Sequence, residues 1–167
     1  MEKIAVGKGS ISLWTLITAV GGFLAFIAFF LSMVKISSGG IDWFNITGID
    51  MFSESLDGEK AEDVYKFWRI MPFIAALTGI ATVIVCALPL FGIDKPALKL
   101  VAMILGIATL VLGIIVIAAS TGSAGFENVT DDVEFHRQIG AYFILYGGIL
   151  ATAAGFCDWK GVLLSKE

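Results

Sequence analysis

The chain has 167 residues, of which 57% are hydrophobic and 16% charged, with a formal net charge of −4 and a mean hydropathy of +0.90. A soluble domain of this size carries about 25% charged residues, so the composition excludes an ordinary soluble protein. The length suits one compact domain. We expect a single membrane domain over residues 1–167, with the lipid bilayer as its surroundings and no nucleic-acid partner.

Four long apolar runs carry this prediction: residues 11–34, 70–91, 98–119 and 139–156. The only charged residue in them is Lys99, the second residue of the third run. A helix needs about 20 residues to cross a hydrocarbon core of roughly 30 Å. The runs therefore predict an all-α membrane protein with an antiparallel four-transmembrane-helix bundle. The first run is too long for the apolar part of a signal peptide, so we expect it to be retained as a span. Gly7, Gly9 and Ser10 before it suggest a short flexible lead-in.

Residues 36–68 form the first loop between spans and contain most of the distinctive soluble sequence. Two β-prone stretches flank Ser37-Ser38-Gly39-Gly40, which predicts a small β-hairpin. Residues 59–68 predict an amphipathic helix that leads into the second span, with a kink or junction at Pro72. The loop also carries apolar residues that can pack on the bundle, lie on the bilayer or contact a partner: Trp43, Phe44, Ile46, Ile49, Met51 and Phe52.

The second and third spans are joined by a tight turn at residues 92–96, with Pro96 expected in the first turn of the third helix. The second loop, residues 121–138, is shorter. Asp131 and Glu134 in it predict a helical lead into the fourth span. The Asn-x-Thr sequences at Asn45 and Asn128 make these two residues glycosylation candidates.

Lysines lie close to the membrane in the terminal segments and in the 92–96 turn, which predicts that both termini are cytoplasmic and both loops outside. The membrane expected is the plasma or cytoplasmic membrane. His136 lacks a spaced set of metal ligands, and Cys86 and Cys157 are expected to be free thiols near the inner membrane face.

Small residues recur at helical spacing in every run, and the longest such stripe is Gly147, Ala151 and Gly155. In lipid, such residues allow helix backbones to approach closely. They either close the bundle of one chain or contact a second copy or another subunit. The sequence contains no nucleophile–base pair, phosphate-binding loop or cofactor motif, so we expect no catalytic residue, no cofactor and no metal site.

The layout of four spans, a larger first loop with β structure and a Trp, and a smaller second loop resembles the claudin-like tetraspan group. The Trp, Gly-Leu-Trp and two-cysteine signature of claudins is absent from the first loop. Two segments also resemble small prokaryotic four-span membrane proteins of uncharacterised function: residues 39–50, with Phe44-Asn45-Ile46-Thr47-Gly48-Ile49-Asp50, and residues 140–151, with Tyr146-Gly147-Gly148-Ile149-Leu150-Ala151.

These observations predict a non-enzymatic structural, adhesion or self-assembly element that acts through helix packing and its first loop. The interaction candidates are Trp43, Phe44, Ile46, Gly147, Ala151 and Gly155. Partners would be further copies of the chain, as a homo-oligomer, or other membrane subunits. Two alternatives stay open: an accessory subunit of a larger membrane complex, and a small channel for neutral solutes.

Overall fold

The computed structural model describes residues 3–6, 9–38, 40–56, 63–119 and 133–161. In chain order its elements are β1 (Lys3–Val6), β2 (Gly9–Ser12), α1 (Leu13–Ala28), β3 (Ser32–Ser38), β4 (Ile41–Thr47), α2 (Gly48–Leu56), α3 (Asp63–Ala87), a short 3-10 helix (Leu88–Phe91), α4 (Pro96–Ala119), β5 (Val133–Arg137) and α5 (Ile139–Lys160). Helices α1 and α4 each pack against both α3 and α5, so the four apolar helices form a ring.

Three segments in the described ranges are long and apolar enough to cross a membrane: Arg69–Phe91, Pro96–Ala118 and Ile139–Lys160. Helix α1 is also apolar but has only 16 residues, or about 24 Å. The span expected over residues 11–34 is therefore wrong in its bounds. Ser12 caps the helix at one end, and strand β3 begins at Ser32 beyond the other.

The end of α5 also differs from expectation. The helix continues past residue 156 to Lys160 and is terminated by Gly161, which adopts a left-handed φ of 68°. Glycine is favoured there because it has no Cβ to clash in that conformation. The prediction of a fourth span without charge is thus wrong, since Asp158 lies within the last spanning-length segment.

The helices bury small residues and expose large apolar ones. A Cβ added to Gly147 would lie 2.5 Å from the carbonyl oxygen of Gly21, and one added to Gly79 would lie 2.5 Å from that of Gly22. Helix backbones thus meet directly in the interior. The outward-facing side chains of α4 are large and apolar, including Ile104, Val111 and Ile114. This arrangement suits lipid surroundings.

A three-stranded antiparallel sheet covers one end of the ring, which we call the sheet end. Strand β3 is central, between β4 and β5. The hairpin expected at Ser37-Ser38-Gly39-Gly40 is confirmed, with Gly40 at a φ of 78°. The helical lead expected from Asp131 is wrong, because Val133–Arg137 is a strand whose Arg137 pairs with Val34. Asp131 itself lies outside the described residues.

Two further elements depart from the sequence prediction. In the N-terminal lead-in, β1 pairs with β2 in antiparallel fashion, so Gly9 and Ser10 belong to a strand instead of a flexible segment. Gly7 lies outside the described residues. Helix α2 was not expected. Its start carries a reciprocal capping pair, in which the Thr47 backbone N–H donates to Asp50 Oδ2 at 2.8 Å and the Asp50 N–H donates to Thr47 Oγ1 at 3.2 Å. The Phe52 ring stacks on Phe73 of α3, with centroids 4.2 Å apart.

The opposite end of the ring is the turn end, where the 92–96 turn joins the 3-10 helix to α4. Gly92 has a φ of 84°, and Pro96 begins α4 as expected. The start of α3 at Asp63 overlaps the helical lead predicted over residues 59–68, of which residues 59–62 are not described. Pro72 lies inside α3 and is buried. The start of α1 and the end of α5 lie at this same turn end.

Candidate functional site

A buried carboxylate stands at the turn end. Asp158 is the third residue from the end of α5 and is only 4% exposed. A negative charge is unfavourable near the C-terminus of its own helix, because the last carbonyls carry partial negative charge. Tertiary contacts must therefore stabilise Asp158.

The first such contacts come from the start of α1. The Ser12 hydroxyl donates to Asp158 Oδ1 at 2.7 Å, and the Thr15 hydroxyl donates to Oδ2 at 2.6 Å. Ser12 Oγ also accepts the Thr15 backbone N–H at 2.9 Å, so one hydroxyl both caps α1 and binds the carboxylate. The positive end of the α1 dipole faces Asp158 and compensates for the unfavourable end of α5.

Lys99, in the first turn of α4, completes the cluster. Its Nζ donates to Asp158 Oδ1 at 2.9 Å, and its side chain is 32% exposed against 5% for that of Asp158. An ammonium has three donors, and the salt bridge uses one of them. The cluster of Ser12, Thr15, Lys99 and Asp158 thus joins three helix ends and fixes a partly exposed cation.

Two cavities meet at this cluster. The inner one has a volume of about 60 Å³ and reaches from the cluster to Thr18, Cys86 and Ala102 inside the bundle. It is large enough for water and too small for an organic substrate. The outer one is an open pocket of about 380 Å³, lined by Asp94, Pro96, Lys99, Asp158, Trp159, Lys160 and Gly161. Lys99 and Asp158 form part of the wall of both.

The side chains of this site can bind charged groups of either sign. Lys99 and Lys160 bring two ammonium groups to the outer pocket, and Asp94 brings a carboxylate to the same surface. The Lys160 Nζ also lies 4.4 Å from the centroid of the Trp159 ring, a cation–π distance. In the described part of the chain, no group of three or more His, Cys, Asp or Glu residues could hold a metal ion.

The chain matches no known family model and no curated protein sequence. The resemblance to claudin-like tetraspan proteins and to small prokaryotic four-span proteins therefore stays a prediction.

The structure places the predicted loop residues on the sheet end. Asn45 is exposed on β4, opposite Lys35 of β3. Trp43 and Phe44 belong to the same strand. The Ile46 side chain is partly buried against the core cluster that contains Met33 and Met51, so this residue packs on the protein itself. Asn128 lies outside the described residues.

The stripe of Gly147, Ala151 and Gly155 contacts helices of the same chain. Gly147 faces Gly21 and Ala25 of α1, and a Cβ added to Gly155 would lie 3.0 Å from the Cα of Met103 in α4. Ala151 is fully buried. This arrangement matches the first of the two roles considered for the stripe, closure of the chain's own bundle.

The polar cluster was missed by sequence reasoning. Asp158, Ser12 and Lys99 are separated by at least 59 positions from one another. Each is unremarkable alone: a charge just after an apolar run, a serine at the start of one, and a lysine near a turn. The one available signal is that Asp158 stands at the unfavourable end of a helix.

Proposed function

We propose that the chain is a non-enzymatic integral membrane protein that acts as a structural, adhesion or self-assembly element through its sheet end. The observation that carries this proposal is that the helix faces suited to close contact are already in use, whereas the sheet has outer strands. The closest helix faces, with Gly21 against Gly147 and Gly22 against Gly79, are already occupied within the chain. The outer strands β4 and β5 each pair only with β3 in the described part of the chain. An outer strand such as β4 can accept a strand from another chain at its outer edge.

The proposal includes α1 as a fourth span. Leu16, Val20 and Phe23 form one exposed apolar face on α1, as lipid contact requires. A helix of about 24 Å is somewhat short for a core of roughly 30 Å, and local bilayer thinning accommodates such a difference at a modest cost. Four spans place both termini on one side, and the lysines at the turn end favour the cytoplasmic side.

Cysteine labelling in intact cells tests this arrangement. Cys86 and Cys157 are the two native cysteines, so the background is Cys86→Ala with Cys157→Ala. A membrane-impermeant thiol reagent should label Asn45→Cys at the sheet end and leave Asp94→Cys at the turn end unlabelled until the membrane is permeabilised. Labelling of both positions from the same side would contradict the four-span arrangement.

The assembly role is tested by cross-linking in native membranes. In the same background, Asn45→Cys should give a cross-linked homodimer through the β4 edge. Ile104→Cys, which is 53% exposed on the outer face of α4, is the matched control and should not. Cross-linking at Ile104 alone would contradict an assembly role for the sheet end. Products with unrelated subunits at Asn45 would favour the accessory-subunit alternative instead. The channel alternative stays a separate prediction, tested by solute flux in proteoliposomes.

A further inference from the structure

We infer that the outer pocket at the turn end binds a phospholipid headgroup that carries both a phosphate and a primary ammonium group. The inference goes beyond the proposed role of the sheet end, and it rests on the proposed membrane arrangement for the presence of lipid at this site. Three groups on the pocket wall match such a headgroup: a fixed cation, a second cation nearby, and a carboxylate.

Lys99 is the fixed cation. Its Nζ is held at 2.9 Å by Asp158, and Asp158 is itself held by the hydroxyls of Ser12 and Thr15 at 2.7 and 2.6 Å. These supporting groups are buried, with Ser12 7% and Asp158 4% exposed. The lysine side chain keeps partial exposure towards the pocket and has donors beyond the one in the salt bridge. A preorganised ammonium of this kind binds an anion at little ordering cost.

Lys160 is the second cation, and Trp159 beside it is a typical membrane-interface residue. Both lie on the pocket wall at the end of α5, at the depth where lipid phosphates are found if the helix spans the bilayer. The charge of Lys99 is balanced by Asp158. Lys160 therefore supplies the uncompensated positive charge that a phosphate diester requires.

Asp94 gives the pocket its selectivity. Its exposed carboxylate lines the same pocket and would repel a purely anionic headgroup, whereas it complements an ammonium group. A zwitterionic headgroup such as that of phosphatidylethanolamine matches both signs of charge. The open pocket has a volume of about 380 Å³, within the range of roughly 300–1,000 Å³ that is usual for small-molecule sites.

The test measures lipid binding to the full chain in mild detergent by native mass spectrometry. Delipidated protein is titrated separately with phosphatidylethanolamine, phosphatidylglycerol and inorganic phosphate. We expect phosphatidylethanolamine to bind several-fold more tightly than phosphatidylglycerol, and inorganic phosphate at equal concentration not to displace it. Equal binding of the two lipids, or equally tight binding of inorganic phosphate, would overturn the assignment.

Variants at exposed positions locate the site. Lys160→Gln should weaken phosphatidylethanolamine binding by about tenfold, as expected for the loss of one charge-assisted hydrogen bond. Asp94→Asn should reduce the preference for phosphatidylethanolamine over phosphatidylglycerol. Lys35→Gln, which removes a lysine at the sheet end, is the matched control and should change neither value.

Unchanged binding in Lys160→Gln would refute the site. An equal loss in Lys35→Gln would also refute it, because the lipid would then respond to overall charge. Lys160 is exposed, so this variant should fold normally even if Lys99→Gln does not.

Discussion

Replacement of Asp158 by alanine should be the most destabilising single change at the turn end. The substitution removes the acceptor for two buried hydroxyls and for the Lys99 ammonium. Hydrogen bonds to a charged group contribute about 1.5–3 kcal/mol each, so the two hydroxyl bonds together contribute roughly 3–6 kcal/mol. The contribution of Lys99 is smaller, because its side chain is 32% exposed and solvent screens the pair.

An opposing effect reduces this total, since alanine avoids the cost of keeping a carboxylate out of water. We therefore expect the free energy of unfolding to fall by about 3 kcal/mol, near the lower limit of the roughly 3–5 kcal/mol measured when a buried ion pair loses one partner. The cap of α1 is retained, because the Thr15 N–H still donates to Ser12 Oγ. The loss should thus report the tertiary cluster rather than the helix cap.

The assay is unfolding of the purified chain in mixed detergent micelles, followed by far-ultraviolet circular dichroism across a denaturing-detergent series. Asp42→Ala is the control: Asp42 pairs with Lys35, but its side chain is 65% exposed. An exposed pair of this kind contributes only about 0–1 kcal/mol. If Asp158→Ala destabilises the chain no more than Asp42→Ala does, the cluster does not hold the helix ends together.

Three further predictions concern other parts of the molecule. Gly147→Leu should lower the free energy of unfolding of the bundle by about 1–3 kcal/mol or more in the same assay, because even a Cβ would meet the Gly21 carbonyl oxygen. The control is Ile149→Ala, at an outward-facing position, which should have little effect. Equal effects of the two substitutions would contradict the packing. Hydrogen bonds donated by the backbone and hydroxyl of Thr47 lower the pKa of Asp50 below its usual value. The stabilisation of α2 by these hydrogen bonds should therefore be present above about pH 4. It should disappear as the pH falls through the lowered pKa. Hydrogen exchange in α2 should then differ between wild type and Asp50→Asn at neutral pH and converge in acid; no difference at neutral pH would rule the cap out. If Asn45 is glycosylated, enzymatic deglycosylation should lower the intact mass, and Asn45→Gln should remove that contribution; a mass unchanged by deglycosylation would exclude the modification.

The sequence by itself determined the apolar segments and the hairpin. Most residues of α3, α4 and α5 lie in long apolar runs whose hydropathy needs no tertiary information. The turn before Ile41 was also predictable, since glycine tolerates the positive φ that Gly40 adopts. Pro96 marked the start of α4 because the first turn of a helix does not need its N–H.

Only the tertiary structure decided where the first run changes from helix to strand. Met33 and Val34 are apolar and buried, yet they belong to β3. Hydrophobicity alone does not separate a buried strand from the end of a buried helix. The strand is stabilised by β4 and by β5, and β5 comes from about 100 positions further along the chain. No local pattern contains that pairing.

The cluster around Asp158 has the same physical origin. Its charge, its hydroxyl donors and its ammonium come from α5, from the start of α1 and from α4. In the sequence, Asp158 is a charge placed just beyond an apolar run, where water would be expected to solvate it. The fold instead buries it against the positive end of another helix, and only the packing of three helix ends determines that a carboxylate is stable there.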